Sequence, residues 1–148
     1  MFADRALELS NSNVFALCWN AAILAWIGKT ELAIERAQRA LRLGPFDSLI
    51  WRAHHALSIA YFHSRRYGEA ADAARSVIAA NPAYSIPRAI LAAALVRLER
   101  LDEAKAMAQT VLEREPSFTI HGTARYSELE PAVFRPFAEA WREAGLPE

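Results

Sequence analysis

The chain has a single cysteine, Cys18, among 148 residues. No internal disulfide can form, and a lone thiol fits a reducing compartment, so a cytoplasmic location is the expectation. Net charge is missing as well. Seventeen basic residues balance seventeen acidic ones, and no global field draws the chain to nucleic acid or to an anionic membrane. No secretory leader is expected, because the first ten residues carry Asp4, Arg5 and Glu8 and have no apolar core. The uncharged stretch at residues 10–28 is not a membrane span. Its apolar part, 14–27, falls short of the roughly 18 residues a span needs and contains Asn20. It reads as a buried helix. There is no glycine-rich phosphate loop, no low-complexity segment and no alternation of strand type.

The residues that usually carry chemistry are sparse and scattered. The histidines are His54, His55, His63 and His121. His55 and His63 share a helix face, but their spacing puts them about 12 Å apart along the axis, too far for one ion unless another element intervenes. No Cys/His spacing fits zinc. His54 is expected to pack between helices, and His55 and His63 to line a groove. Cys18 lies in an apolar helix without a base nearby, so it reads as a packing residue. Ser58 is near His54 and His55, yet no third group completes a triad. Glu99, Asp102 and Glu103 read as solvated turn and helix-start charges. No catalytic residue, metal or cofactor is expected, and the chain reads as a protein that is not an enzyme.

What the sequence does contain is a repeated helical pattern. Tyr67, Ala70, Ala74, Val77 and Ile78 recur at three- and four-residue steps, with small residues where a second helix must approach, and Pro82 ends the run. The pattern returns at Leu101, Ala104, Ala108, Val111 and Leu112 and closes at Pro116, 34 residues after Pro82. Upstream, Ala33, Ala37, Ala40 and Leu41 precede Gly44-Pro45. Three extra residues before Pro82 are assigned to a longer loop at 46–50. Each run is preceded by another helix: Ala16, Leu17, Asn20, Ala21 and Leu24; then His54, Leu57, Ser58 and Tyr61; then Leu91, Ala92 and Leu95, with Pro87 in the first turn. Gly28 suits the first turn between helices, whereas Arg65 and Glu99 stand where glycine is expected. After Pro116 the period fails, and 119–126 reads as a connector. Ser127-Glu128-Leu129-Glu130 matches a capping box, and Phe134, Phe137, Ala138 and Trp141 mark a last helix ended by Gly145 and Pro147. Pro136 should kink that helix or delay its regular start.

With these spacings, the small positions and the terminal prolines, the chain resembles the tetratricopeptide repeat (TPR) family from about Ala6 to Phe118. The resemblance implies one all-α domain, a right-handed α-solenoid of helix-turn-helix repeats. It is divided as a half repeat at 1–13, repeats at 14–47, 51–84 and 85–118, and a connector with a capping helix at 119–148. Residues 1–13 hold only the second helix of a unit, so the chain is expected to be a piece of a longer protein. Within ALRLGPFD (40–47), NP (81–82), PSFTI (116–120) and the closing WREAGLPE (141–148) it also resembles the C-terminal repeat region of bacterial class III adenylate cyclase-like proteins. That narrower likeness implies a regulatory module of bacterial signalling, with a catalytic or DNA-binding domain preceding it, and an end near a natural C-terminus.

In such arrays the first helix of each repeat lines a concave groove. The resemblance places Phe15, Cys18, Ala22, Ala25 and Trp26 there from repeat one. Repeat two supplies Arg52, His55, Ile59, Phe62 and His63, and repeat three Ile86, Ala89, Ala93, Val96 and Arg97. The Lys/Asn ladder that clamps a peptide carboxylate in some members is absent, since Cys18 and Ala22 stand in its first positions. The groove is therefore mostly apolar, and the expected partner-binding residues are Trp26, Arg52, His55, Phe62, His63 and Arg97. An apolar groove calls for a cover. The Phe134/Phe137/Trp141 face caps the last repeat, reaches the groove or does neither, and the first is the leading expectation. The expected function is a non-catalytic protein–protein interaction module that binds a protein or peptide segment, with Arg52 and Arg97 exposed and orienting its acidic groups. Alternatives are self-association of the parent protein and a small-molecule sensor pocket in the groove. A homodimer through residues 1–26, with Phe2, Leu7 and Leu9 on the open face, is a further expectation.

Overall fold

A computed structural model describes residues 13–123 and 130–148, and among these every regular element is a helix. The helices are α1 (Val14–Trp26), α2 (Thr30–Leu43), α3 (Trp51–His63), α4 (Tyr67–Ala80), α5 (Ile86–Arg97), α6 (Leu101–Arg114), the single turn α7 (Ile120–Thr123) and α8 (Pro131–Ala144). Successive pairs α1–α2, α3–α4 and α5–α6 stack into an α-solenoid, and α8 caps its C-terminal end. α4 and α6 start 34 residues apart and α2 and α4 start 37 apart; two of the three extra residues fall in the loop between Leu43 and Trp51, and the third in α3, which is one residue longer than α5.

The turns inside the three pairs are built alike. The N–H of Lys29 bonds to the Leu24 carbonyl at 2.9 Å, that of Arg66 to Tyr61 at 2.8 Å, and that of Arg100 to Leu95 at 2.9 Å. This six-residue closure needs one left-handed residue. Gly28 supplies it at φ 82°, and Arg65 and Glu99 adopt it at 62° and 60°. The two side chains thus sit in the conformation that the glycine position demands, at a steric cost to the backbone. Gly44 serves differently: a Cβ there would meet Val14 Cγ2 at 2.7 Å, so glycine lets the end of α2 touch the start of α1.

Packing follows the small residues. Ala33, Ala37 and Ala40 on α2, Ala70 and Ala74 on α4, and Ala104 and Ala108 on α6 are all buried. Alanine at these points lets helix axes come close enough for dense packing. The second helices are amphipathic, whereas α5 is buried on every side from Pro87 to Val96. It lies between neighbouring helices and is covered by α8 on the face that would otherwise be open.

Several local expectations are corrected. The connector after Pro116 contains the helical turn α7. Glu130 itself caps α8, its carboxylate accepting from the Ala132 N–H at 3.3 Å. Ser127, the other end of the expected capping box, lies outside the described residues. α8 runs from Pro131 to Ala144 with Pro136 inside it, so its regular start is not delayed to that proline. Residues 1–12, which hold nearly all of the expected half repeat with Phe2, Leu7 and Leu9, also lie outside the described residues.

Candidate partner-binding groove

α8 caps the last pair and also crosses the concave face. Phe137 stacks on Phe62 with ring centroids 4.2 Å apart and lies 6.4 Å from Trp26. Trp141 donates its indole N–H to the Ala89 carbonyl at 2.8 Å in a buried bond. Arg97 pairs with Glu143 at 3.3 Å. At the other end of α8, Val133 and Glu130 rest against Gly28. The helix therefore touches the first helix of all three pairs.

Beyond its edge, on the α1–α3 side, the groove is open. A cavity of about 580 Å³ is lined by Trp19, Ile23 and Trp26 of α1, Trp51, Arg52 and His55 of α3, and Tyr84 of the α4–α5 loop, with Cys18, Ala22, Asn81 and Ala83 completing the wall. Its aromatic residues form a chain of edge-to-face contacts: Trp26 to His55 at 6.4 Å, His55 to Tyr84 at 5.3 Å and Tyr84 to Trp51 at 6.2 Å. Tyr84 is held in place from below. Buried Arg88 donates to the Pro82 carbonyl at 2.7 Å and to the Tyr84 carbonyl at 3.4 Å, and Arg114 donates to Pro82 at 3.3 Å.

Two polar atoms of this wall are buried without a hydrogen-bond partner among the described residues, Arg52 Nε and His55 Nδ1. The Arg52 guanidinium lies 4.8 Å from the Trp51 ring centroid and 6.0 Å from that of Trp19, and it makes no ion pair among the described residues. His55 is only 7% exposed. Burial, reinforced by the positive charge of Arg52, lowers its pKa to about 4, so the ring is neutral at pH 7. Ser58 does not engage the ring; its hydroxyl donates to the His55 carbonyl at 2.6 Å. Burial, with the negative charge of Asp47 adding to it, pushes the Cys18 thiol up to about 11 despite Arg52 nearby. That thiol is protonated and unreactive at neutral pH. Among the described residues no cluster of His, Cys, Asp and Glu could hold a metal ion, and no helix is long and apolar enough to cross a membrane.

The expected partner-binding residues separate into two groups. Trp26, Arg52 and His55 converge on the open cavity. Phe62 is buried under Phe137, and His63 and Arg97 face a second cavity of about 700 Å³ whose wall includes Pro136 and Glu139 of α8. Neither arginine is fully exposed as expected: both are half-buried, Arg97 through its pairing with Glu143. Trp19, Trp51 and Tyr84 escaped the sequence reading. The two tryptophans flank the groove positions by one residue, and Tyr84 follows the Asn81-Pro82 stop; a large aromatic beside a groove position was the available signal.

The sequence profile of the tetratricopeptide repeat family matches residues 61–124. No curated protein sequence matches the chain. Among solved structures, the crystal structure of MamA superposes with a TM-score of 0.70 at 21% identity, covering 95% of this chain and 84% of that one. MamA 41-end from Desulfovibrio magneticus RS-1 gives 0.69 at 18% identity over 95% and 82%. The first TPR of Spaghetti (RPAP3), bound to the HSP90 peptide SRMEEVD, gives 0.63 at 19% identity over 87% and 90%. With the matched profile and an all-helical stack, these likenesses establish the fold as a TPR-type α-solenoid.

Proposed function

We propose that the chain is a non-catalytic protein–protein interaction module, the regulatory part of a larger signalling protein, and that it binds a partner segment in its concave groove. The observation that carries this reading is the open aromatic cavity with unpartnered Arg52 and His55 atoms, on the face where α8 already covers the remaining groove. Trp26 and His55 would take the apolar anchor, and Arg52 its acidic group. The Spaghetti neighbour holds an acidic peptide on the same architecture, a precedent for the mode. The ladder that would clamp a terminal carboxylate is missing at Cys18 and Ala22. The assignment to bacterial signalling and to a cyclase-like parent rests on the sequence likeness at 40–47, 81–82, 116–120 and 141–148.

The test is selection from a displayed random peptide library, repeated with Arg52→Glu and Trp26→Ala. Wild type should enrich peptides that join an apolar anchor to an acidic group, and Arg52→Glu should weaken them by about tenfold or more. No enrichment, or equal binding to Arg52→Glu, would overturn the reading.

A second reading, self-association through residues 1–26, is favoured by Phe15 and Trp19. They are 52% and 44% exposed, and their rings stack at 6.2 Å. A two-fold dimer is the expected form. Sedimentation over a concentration series should show a dimer that Phe15→Ser abolishes; a monomer throughout rejects it.

A further inference from the structure

The geometry points to the α1–α3 cavity as a binding site for a small aromatic monocarboxylate, held with its ring among Trp26, Trp51 and Tyr84 and its carboxylate on Arg52 and His55. The site would admit a free small molecule. It shares its cavity with the partner-binding reading but does not depend on it, since no partner protein is required.

Size is the first argument. A volume of about 580 Å³ lies within the roughly 300–1,000 Å³ range of small-molecule sites. The lining is of the matching kind: a largely aromatic and aliphatic wall, interrupted by a few polar groups in one sector. Charge narrows the class. Arg52 is the one lysine or arginine in that lining. It is held against Trp51 and has no carboxylate neighbour within ion-pair distance among the described residues. One guanidinium matches one carboxylate, whereas a di- or triphosphate would bring charge the wall cannot balance.

Hydrogen bonding gives the same answer. Arg52 Nε and His55 Nδ1 are buried and unpartnered. Leaving such atoms unpaired costs free energy that an incoming acceptor recovers. Arg52 can donate from Nε, and neutral His55 can donate from Nδ1 in the tautomer that protonates it. A carboxylate, with two oxygens and no hydrogens, is the group that satisfies both. Length argues against an extended peptide as the occupant of the whole groove. Toward α5 the path meets Phe137 on Phe62 and the Arg97–Glu143 pair, so what remains open is a chamber.

The experiment is calorimetric titration of the full chain with indole-3-acetate, and with indole-3-acetamide as the uncharged match. Wild type, Arg52→Gln and, as a control outside the cavity, Lys105→Gln on the exposed face of α6 are compared. Saturable binding of the acid is expected, at least about tenfold tighter than the amide, reduced by a similar factor in Arg52→Gln and unchanged in Lys105→Gln. Circular dichroism checks that each variant is folded. Absence of saturable binding, or equal affinity for acid and amide, would overturn the proposal. So would tighter binding of the tripeptide Gly-Gly-Trp than of indole-3-acetate, which would assign the cavity to a peptide end. If displayed peptides still bind through Arg52 while the small acids do not, only this inference fails.

Discussion

Phe62 and Phe137 lie parallel, 14° between ring planes and 4.2 Å between centroids, and so join α3 to α8 across 75 residues of chain. Phe137 is fully buried and also stacks on Trp141 at 5.6 Å. Phe137→Ala should lower stability by about 3 kcal/mol, the lower end of the range for a buried phenylalanine. It should also shift Trp141 emission to the red before global unfolding. Urea denaturation followed by circular dichroism and by fluorescence checks both effects, and coincident curves with wild-type stability would mean that α8 is not anchored there.

The left-handed turns offer a change in the opposite direction. Arg65 and Glu99 hold φ near 60°, as Gly28 does with no side chain. Arg65→Gly and Glu99→Gly should each raise stability by up to about 1 kcal/mol, the strain released less the added entropy of the unfolded chain. Thermal melts of the single and double variants should show additive increases, because the sites are distant and share no partner.

Overpacking tests the repeat phase. Ala74 and Ala104 are completely buried. Ala74→Leu or Ala104→Leu inserts a branched side chain at a helix contact and should cost roughly 1–3 kcal/mol or more. An unchanged melting midpoint would show that these alanines do not face the crossing.

His55 makes stability depend on pH in a definite direction. Its folded pKa, about 4, is depressed below the usual histidine value of 6.5. The unfolded chain therefore takes up a proton first as pH falls. The cost is absent above the unfolded pKa, grows as pH drops below about 6.5 and levels off below about 4. Between pH 7 and 5 the loss should be about 2 kcal/mol from this residue, with half-buried His54 adding in the same sense. Denaturant titrations at the two pH values measure it, and His55→Gln should flatten the difference. An equal slope in that variant would assign the effect elsewhere.

Helix ends and packing faces were readable because their determinants are local. Pro45, Pro82 and Pro116 follow the ends of α2, α4 and α6 by two residues, and the buried alanines recur at helical steps. The destination of α8 was not local. Its apolar face suits either the end of the stack or the groove, and the outcome depends on contacts distant in sequence, such as Trp141 with Ala89 and Phe137 with Phe62. Trp26, Arg52 and His55 could be placed on the groove through the resemblance to the repeat family. Tyr84 could not, because its position comes from a loop fixed by the Arg88 and Arg114 guanidiniums.

The last residues of the chain return to α7. The Ile120 N–H bonds to the Pro147 carbonyl at 2.8 Å, that of His121 bonds to Glu148 at 3.3 Å, and Arg142 pairs with the Glu148 carboxylate. Together with the buried Trp141 bond, these ties hold the C-terminal end of α8 by hydrogen bonds, while toward its N-terminal end the helix is held by apolar burial of Val133 and Phe137. The directional, hydrogen-bonded part of the attachment thus lies at residues 141–148. Phe137 touches both Trp26 and Phe62, so displacing that one ring would uncover the groove on α1 and on α3 together, beside the cavity that is already open.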